Sequence, residues 1–156
     1  MNARRPARFA LIAPLLLITL ITCGKQEETI VPVIPPPPPA VQQSAEAGDP
    51  ATQFAMAKYH LSDEDPTVML RWLRASACQG YPLAQVSLGV LYDAGDSVPQ
   101  DRISAYIWFS EAAAQGEGDA IEMAADLNAA MADDERAFAQ GLIRQGRSAL
   151  IDCRLR

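Results

Sequence analysis

Apolar residues recur at helical spacing in the second half of the chain. One series has intervals of four and three residues, which places its members on one face of an α-helix: Ala84, Leu88 and Leu91. A second series, which follows the i, i+3, i+4, i+7 pattern, indicates another amphipathic helix: Ala105, Trp108, Phe109 and Ala112. Alanine is abundant here and β-branched residues are sparse, so the composition also favours helix over strand.

The boundaries of these two helices can be predicted from their flanking residues. The first helix begins near Pro82 and ends around Ala94-Gly95, because glycine is the usual C-terminal stop. Gly89 within it allows a partner helix to come close. The second helix begins at Asp101, whose carboxylate can accept hydrogen bonds from free N–H groups of the first turn, and it ends at Gly116.

The two-helix pattern is repeated along the chain. Arg71–Gly80 matches Ile107–Gly116 at an offset of 36 residues, and Phe138–Gly146 continues the match at an offset of 30. An earlier helix is predicted at Ala51, Ala55 and Tyr59. These residues lie 33 positions before their counterparts in the central unit, which are Ala84, Leu88 and Tyr92. Three copies of a two-helix unit follow, which is about the minimum at which stacked units bury a continuous core.

The outer units differ from the central one in their predicted caps. Asp65-Pro66 is expected to start the second helix of the first unit, as a capping acid followed by proline at the first helical position. Asp133 is expected to cap the last helix. Asn128 stands where the central unit has Tyr92, and such a departure fits a terminal repeat.

The central unit carries a specific motif. It reads Ala84-x3-Leu88-Gly89-x2-Tyr92-x2-Gly95, then Val98-Pro99-Gln100-Asp101-x3-Ala105-x2-Trp108-x3-Ala112-Ala113-x-Gln115-Gly116. This motif resembles a Sel-one-like repeat of the tetratricopeptide superfamily, and the resemblance covers about residues 50–146. It implies an all-α protein, an α/α solenoid of about three repeats, that acts as an adaptor or scaffold for protein complexes.

The N-terminal segment has the pattern of a secretory signal. Three arginines precede an uncharged run of 14 residues, Phe9–Thr22, which is short for a membrane-spanning helix and contains Pro14. Leu20-Ile21-Thr22-Cys23 resembles the lipobox of bacterial lipoproteins, although Thr22 departs from the small residue usual before the cysteine. Residues 1–22 are therefore predicted to be a signal peptide, and Cys23 the site of lipid attachment. An uncleaved inner-membrane anchor remains the alternative.

The lipid is expected to provide the membrane contact. A diacylglycerol anchor holds a protein to a membrane where a single chain would not. Removing residues 1–22 takes away three arginines and no acids, so the net charge changes from −6 to −9 and anionic lipid would repel the mature protein. Gly24 after the cysteine favours the outer membrane, by analogy with known lipoproteins. We expect a periplasm-facing protein of the bacterial envelope.

A tether is predicted between the lipid and the repeats. Residues 23–49 are rich in Gln, Glu, Ser and Pro, and Pro35–Pro39 are consecutive. Such a run adopts polyproline II, which makes a semi-rigid spacer. The repeat domain is predicted to span residues 50–146, and residues 147–156 form a C-terminal tail.

The sequence indicates no catalytic residue, metal site or cofactor. His60 is the single histidine, at a predicted helix end, and no nucleophile motif accompanies it. The acidic cluster Asp63–Asp65 lacks the ligand spacing and turn glycine of a calcium loop. Trp72 and Trp108 fall in the apolar stripes, which favours core packing over ligand stacking. The net charge of −6 excludes a nucleic-acid partner.

Two cysteines remain after Cys23 is assigned to lipid. An oxidising envelope permits a disulfide between Cys78 and Cys153, whereas Cys78 alone would be a small buried thiol. The sequence leaves both interpretations open.

The binding surface is expected on the first helix of each unit, which lines the concave groove in tetratricopeptide-type stacks. The candidate exposed residues are Gln53, Lys58, Gln85 and Asp93. A three-unit stack offers a small groove, so a short peptide of another envelope protein, or self-association, is expected. We interpret the chain as a membrane-tethered, non-catalytic scaffold module; the alternative is a cell-wall-active or penicillin-interacting envelope protein.

Overall fold

The structure, a computed structural model, describes residues 35–146 and Cys153. The predicted signal peptide, Cys23, the tether up to residue 34 and the rest of the tail lie outside these residues. The described segment contains seven α-helices and one 3₁₀ turn (His60–Ser62) and no strand: α1 (Pro39–Glu46), α2 (Pro50–Tyr59), α3 (Thr67–Ala77), α4 (Pro82–Ala94), α5 (Arg102–Ala114), α6 (Gly118–Ala130) and α7 (Asp133–Arg144).

Helices α2 to α7 form three units of two helices. Unit 1 is α2 and α3, unit 2 is α4 and α5, and unit 3 is α6 and α7. Each helix from α1 to α5 packs against the next one along the chain, and α7 packs against α5. The stack therefore has its best-covered helix, α5, in the central unit.

The helix boundaries of unit 2 are those predicted. Gly95 has a φ of +71° and ends α4. Asp101 caps α5, since one carboxylate oxygen accepts from the backbone N–H of Ile103 at 3.0 Å and of Ser104 at 3.2 Å. The other carboxylate oxygen accepts from the Ser104 hydroxyl at 2.6 Å.

The core of the stack is centred on α5. Trp108 and Phe109 are each 2% exposed, and they are among the largest buried side chains. A Cβ at Gly89 would lie 2.5 Å from Cε1 of Phe109, so only glycine allows α4 and α5 to approach this closely. The buried indole N–H of Trp108 has no hydrogen-bond partner among the described residues.

Two predicted caps differ at the other units. Helix α3 begins at Thr67 with Pro66 as its N-cap, so the prediction that Asp65 is the cap and Pro66 the first helical residue is wrong by one position, although the Asp65 carboxylate accepts from the Thr67 N–H at 2.9 Å. The prediction for Asp133 is wrong, because this residue is the first of α7 and pairs instead with Arg136 at 2.8 Å. Glu135 accepts from the backbone N–H of Ala132 at that helix end.

The predicted tether reaches too far along the chain. Helix α1 lies within it, and Ala45 of that helix is fully buried against the stack. The segment has one small buried residue and no apolar stripe, so periodicity could not indicate a helix here. Helix α1 packs on α2 as α3 packs on α4, and it covers the open end of unit 1.

The register of the first helix also differs by one residue from the predicted 33. Ala51 and Ala55 are exposed, whereas Met56 and Ala57 are buried in the places of Leu88 and Gly89, an offset of 32. The two prolines that open the helices, Pro50 and Pro82, keep the same offset.

Candidate functional site

Two of the predicted groove residues are not on a free surface. Gln53 is 6% exposed and Gln85 is 4% exposed, which contradicts the prediction that both face a partner. Each glutamine lies on the face of its helix that carries the buried apolar residues, and the preceding helix covers it, so a hydrophilic side chain did not indicate exposure here. Lys58 and Asp93 are exposed, as predicted.

The buried glutamines form a repeated hydrogen-bond network. Each donates to a carbonyl near the end of the preceding helix: Gln53 to Ala45 at 3.1 Å, and Gln85 to Ala77 at 3.4 Å. Each accepts from a glutamine at the end of its own unit: Gln53 from Gln79, and Gln85 from Gln115, both at 2.7 Å. The same two carbonyls accept from the backbone N–H of Gly48 at 3.0 Å and of Gly80 at 2.9 Å, so each glutamine amide adds a second donor and joins its helix to the preceding one.

This network could have been found in the sequence. Gln79 and Gln115 are 36 residues apart, and Gln53 and Gln85 are 32 apart. A polar residue that recurs in two units at the structural offset indicates a shared contact within the stack. Ile121 occupies the corresponding position in unit 3, so the network ends there.

A largely apolar cavity of about 260 Å³ lies between the first helices of units 1 and 2. Its lining comes from α2, the 3₁₀ turn, α3 and α4: Phe54, Ala57, Lys58, Leu61, Met69, Leu73, Val86, Ser87, Val90 and Leu91. Leu61 and Val90 are 67% and 43% exposed, so two large apolar side chains of the lining are open to solvent. The Lys58 ammonium lies over the Phe54 ring, 6.0 Å from the centre of that ring.

A second cavity, of about 460 Å³, lies between the first helices of units 2 and 3. Its lining comes from α4, α5 and α6: Val90, Asp93, Ala94, Arg102, Phe109, Met123, Asp126, Leu127 and Ala130. Val90 belongs to both cavities, which therefore meet at this side chain. We call the pair of cavities the groove.

Charge is distributed unevenly along the groove. The unit 1 end carries Lys58, and the other cavity carries the exposed carboxylates of Asp93 and Asp126 together with Arg102. Between these ends the floor is apolar. The groove can thus hold an apolar segment and distinguish its two directions by charge. Of the four predicted residues, Lys58 and Asp93 line it.

The residues considered for catalysis or metal binding have local roles. Nδ1 of His60 and a carboxylate oxygen of Asp63 are 2.7 Å apart in the turn after α2. The Asp65 carboxylate accepts from the backbone N–H and the hydroxyl of Thr67 at the start of α3. In residues 35–146 and at Cys153, no three His, Cys, Asp or Glu side chains are grouped as a metal site requires. Among the same residues, no helix is long and apolar enough to cross a membrane.

The structure joins Cys78 and Cys153 in a disulfide, with their Cα atoms 5.7 Å apart. Cys78 follows the last residue of α3, and Cys153 belongs to the C-terminal tail. The bond closes a chain segment that contains all of units 2 and 3. Of the two interpretations left open by the sequence, this geometry corresponds to the bridged one.

The tryptophans at equivalent positions have different surroundings. Trp108 is in the core, as predicted, whereas Trp72 is only partly buried. The Arg71 guanidinium lies 5.0 Å from the centre of the Trp72 ring. Phe138, the equivalent residue of unit 3, is 59% exposed. Position in the motif alone therefore does not determine burial.

Comparison with known proteins supports the fold. No protein-family model matches the sequence, and no curated protein does. Among solved structures, the chain is similar to a Sel1 repeat protein from Oxalobacter formigenes, with 24% sequence identity and a TM-score of 0.54. The match covers 65% of this chain and 96% of that one. This similarity shows that the chain has the helical-repeat fold of that protein, which confirms the all-α solenoid predicted from the motif.

Proposed function

We propose that the chain is a membrane-tethered protein-interaction module of the bacterial envelope, without catalytic activity of its own. The lipobox-like sequence at Cys23, the proline-rich spacer and the repeat fold together support this proposal. Two residues of unit 2 whose side chains could take part in chemistry have structural roles instead, since Asp101 caps α5 and Trp108 packs in the core. Gly24 after the lipid-bearing cysteine favours the outer membrane, with the repeats facing the periplasm.

The groove is the observation that carries the proposal. Its partner is a short segment of another envelope protein, with one apolar side chain on each side of Val90. A basic residue of the segment faces Asp93 and Asp126, and an acidic group faces Lys58. Burying an apolar side chain contributes about 1.5–3 kcal/mol, and ordering the segment offsets part of it, so a reversible complex is expected.

Two helix α4 variants test the groove. Val90 and Leu83 are 43% and 44% exposed on the same helix, but only Val90 lines the groove. Val90→Glu should abolish recovery of the partner after crosslinking in the envelope, because it places a charge at the junction of the two cavities. Leu83→Glu is the matched control and should leave recovery unchanged. Equal recovery with both variants would show that binding occurs elsewhere.

Lipid attachment is tested independently of the partner. Cys23→Ala should release the protein from the membrane fraction, and globomycin should cause the precursor to accumulate. Mass spectrometry of the mature N-terminus should then detect a diacylated cysteine at position 23. A membrane-bound Cys23→Ala protein with residues 1–22 intact would instead demonstrate an uncleaved anchor.

A further inference from the structure

A third cavity, of about 370 Å³, lies away from the groove, on the flank of unit 1. Helices α1, α2 and α3 all contribute to it. Its aromatic side chains are Tyr59 and Trp72, and Arg71 and Glu46 provide charges at its edge. Pro36 and Pro37 of the chain's own proline run complete the lining.

This opening is specific to unit 1. Trp108, at the position of Trp72, is 2% exposed, and Ile107, at the position of Arg71, is fully buried. The exchange of an isoleucine for an arginine removes an apolar side chain that fills the core in unit 2. Trp72 is therefore only partly buried, with the Arg71 guanidinium over its ring at 5.0 Å from the centre, whereas Trp108 is enclosed in the core.

The proline run already lies against this opening. Pro37 is half-buried, while Pro35, Pro36, Pro38 and Pro39 are exposed. Pro38 has a φ of −52° and a ψ of 138°, close to polyproline II geometry. Polyproline II segments dock in aromatic-lined grooves, because their preformed backbone loses little entropy on binding. The ligand and the site are thus present in one chain.

We propose that the flank of unit 1 beside Tyr59 and Trp72 is a binding site for a polyproline II segment, and that the run Pro35–Pro38 docks there within the same chain, as one wall of the cavity. The run then leaves the repeat domain from a fixed point beside Trp72. A proline-rich segment added from outside competes with the run for the same aromatic pair.

Fluorescence of Trp72 tests the proposal in the mature chain. Trp108→Phe leaves Trp72 as the only tryptophan, and it removes an indole N–H that lacks a partner in the core. In this background Pro36→Ser/Pro37→Ser should raise acrylamide quenching of Trp72 by roughly twofold, since docking of the run covers the indole. Pro32→Ser, outside the run, is the control and should leave quenching unchanged.

A peptide of six prolines provides the second arm. The peptide should lower acrylamide quenching of Trp72 in the Pro36→Ser/Pro37→Ser protein to the level of the protein with the intact run. In the protein with the intact run, a much higher peptide concentration should be needed to displace the run. Quenching that is the same with and without Pro36 and Pro37 would overturn the proposal. If Trp108→Phe fails to fold, the indole N–H resonances of the two tryptophans give the same test: docking predicts a shift for Trp72 and none for Trp108.

Discussion

Units 1 and 2 carry the same motif but different surroundings. Trp108 lies in α5, which is covered by α4, α6 and α7, whereas Trp72 lies in α3, which packs between α2 and α4. Ile107 is buried in the core next to Trp108, whereas the equivalent Arg71 is exposed and places its guanidinium over the Trp72 ring. The comparison shows that the motif determines the helix pair, while the neighbouring helices determine which side chains become core.

The largest expected effect is at the tryptophan pair. Trp108→Ala should lower the free energy of unfolding by about 3–5 kcal/mol, because it leaves a large cavity in the core. Trp72→Ala should cost clearly less, about 1–2 kcal/mol, because its indole is only partly buried. Chemical denaturation of both variants gives the two values, and equal losses would contradict the difference drawn between the units.

The disulfide should contribute the next largest effect, and only to part of the stack. Its loop of 75 residues contains units 2 and 3 but excludes α2. Cys78→Ser/Cys153→Ser should lower stability by about 2–4 kcal/mol, as for loss of a long-range bridge. Hydrogen exchange should increase mainly between residues 79 and 146. Exchange that rises equally in α2 would show that the bridge does not act on this segment.

The glutamine network should contribute equally in both units. Gln53→Ala and Gln85→Ala each remove a buried amide that bridges a helix end and a second glutamine, so each should cost about 1–3 kcal/mol. Thermal denaturation of the two variants measures the losses. Gln140→Ala, which removes a bond to Asn128 in the terminal unit, is the control and should cost less. If Gln53→Ala and Gln85→Ala lowered stability by clearly different amounts, the network would not contribute equally in both units.

The smallest expected effect is a pH dependence in unit 1. Hydrogen bonds from the backbone N–H and hydroxyl of Thr52 hold the pKa of Asp49 below its ordinary value, and those from Thr67 do the same for the pKa of Asp65. A lowered pKa in the folded state contributes stability above the unfolded pKa of 3.8, which is lost as the pH falls through the folded pKa.

Mutation separates the contribution of Asp49 and Asp65 to acid destabilisation from that of the other ionisable groups. Asp49→Asn/Asp65→Asn should lose less melting temperature than the unaltered protein when the pH is lowered through about 4. Above that range the variant should be slightly less stable, because asparagine caps without a charge. If the melting temperatures of the two proteins fell in parallel as the pH is lowered, these hydrogen bonds would not contribute to the pH dependence of stability.

The sequence predicted the repeat but not every contact within it. Spacing identified α4 and α5 closely, because Pro82, Gly95 and Asp101 mark helix ends by local chemistry. It placed α2 one residue out of register, because matching alanines outweighed the shared Pro50 and Pro82. It did not indicate α1, because this helix is only eight residues long and buries a single small residue, Ala45.

The candidate site was predicted in part for the same reason. Lys58 and Asp93 line the groove, but Gln53 and Gln85 are each covered by the preceding helix. A buried polar residue and an exposed one look alike in a single helix, and only the recurrence of the glutamines distinguishes them. The tail Cys153 lies far along the chain from Cys78, so no local pattern could decide their pairing.

Photocrosslinking from helix α4 tests the central claim that the groove is the binding surface. A photoreactive residue at position 90 should form an adduct with one envelope protein, and the crosslinked peptide should contain apolar residues beside a basic one. The same residue at position 83, equally exposed on that helix, should form none. Adducts from position 83 with none from position 90 would contradict the account.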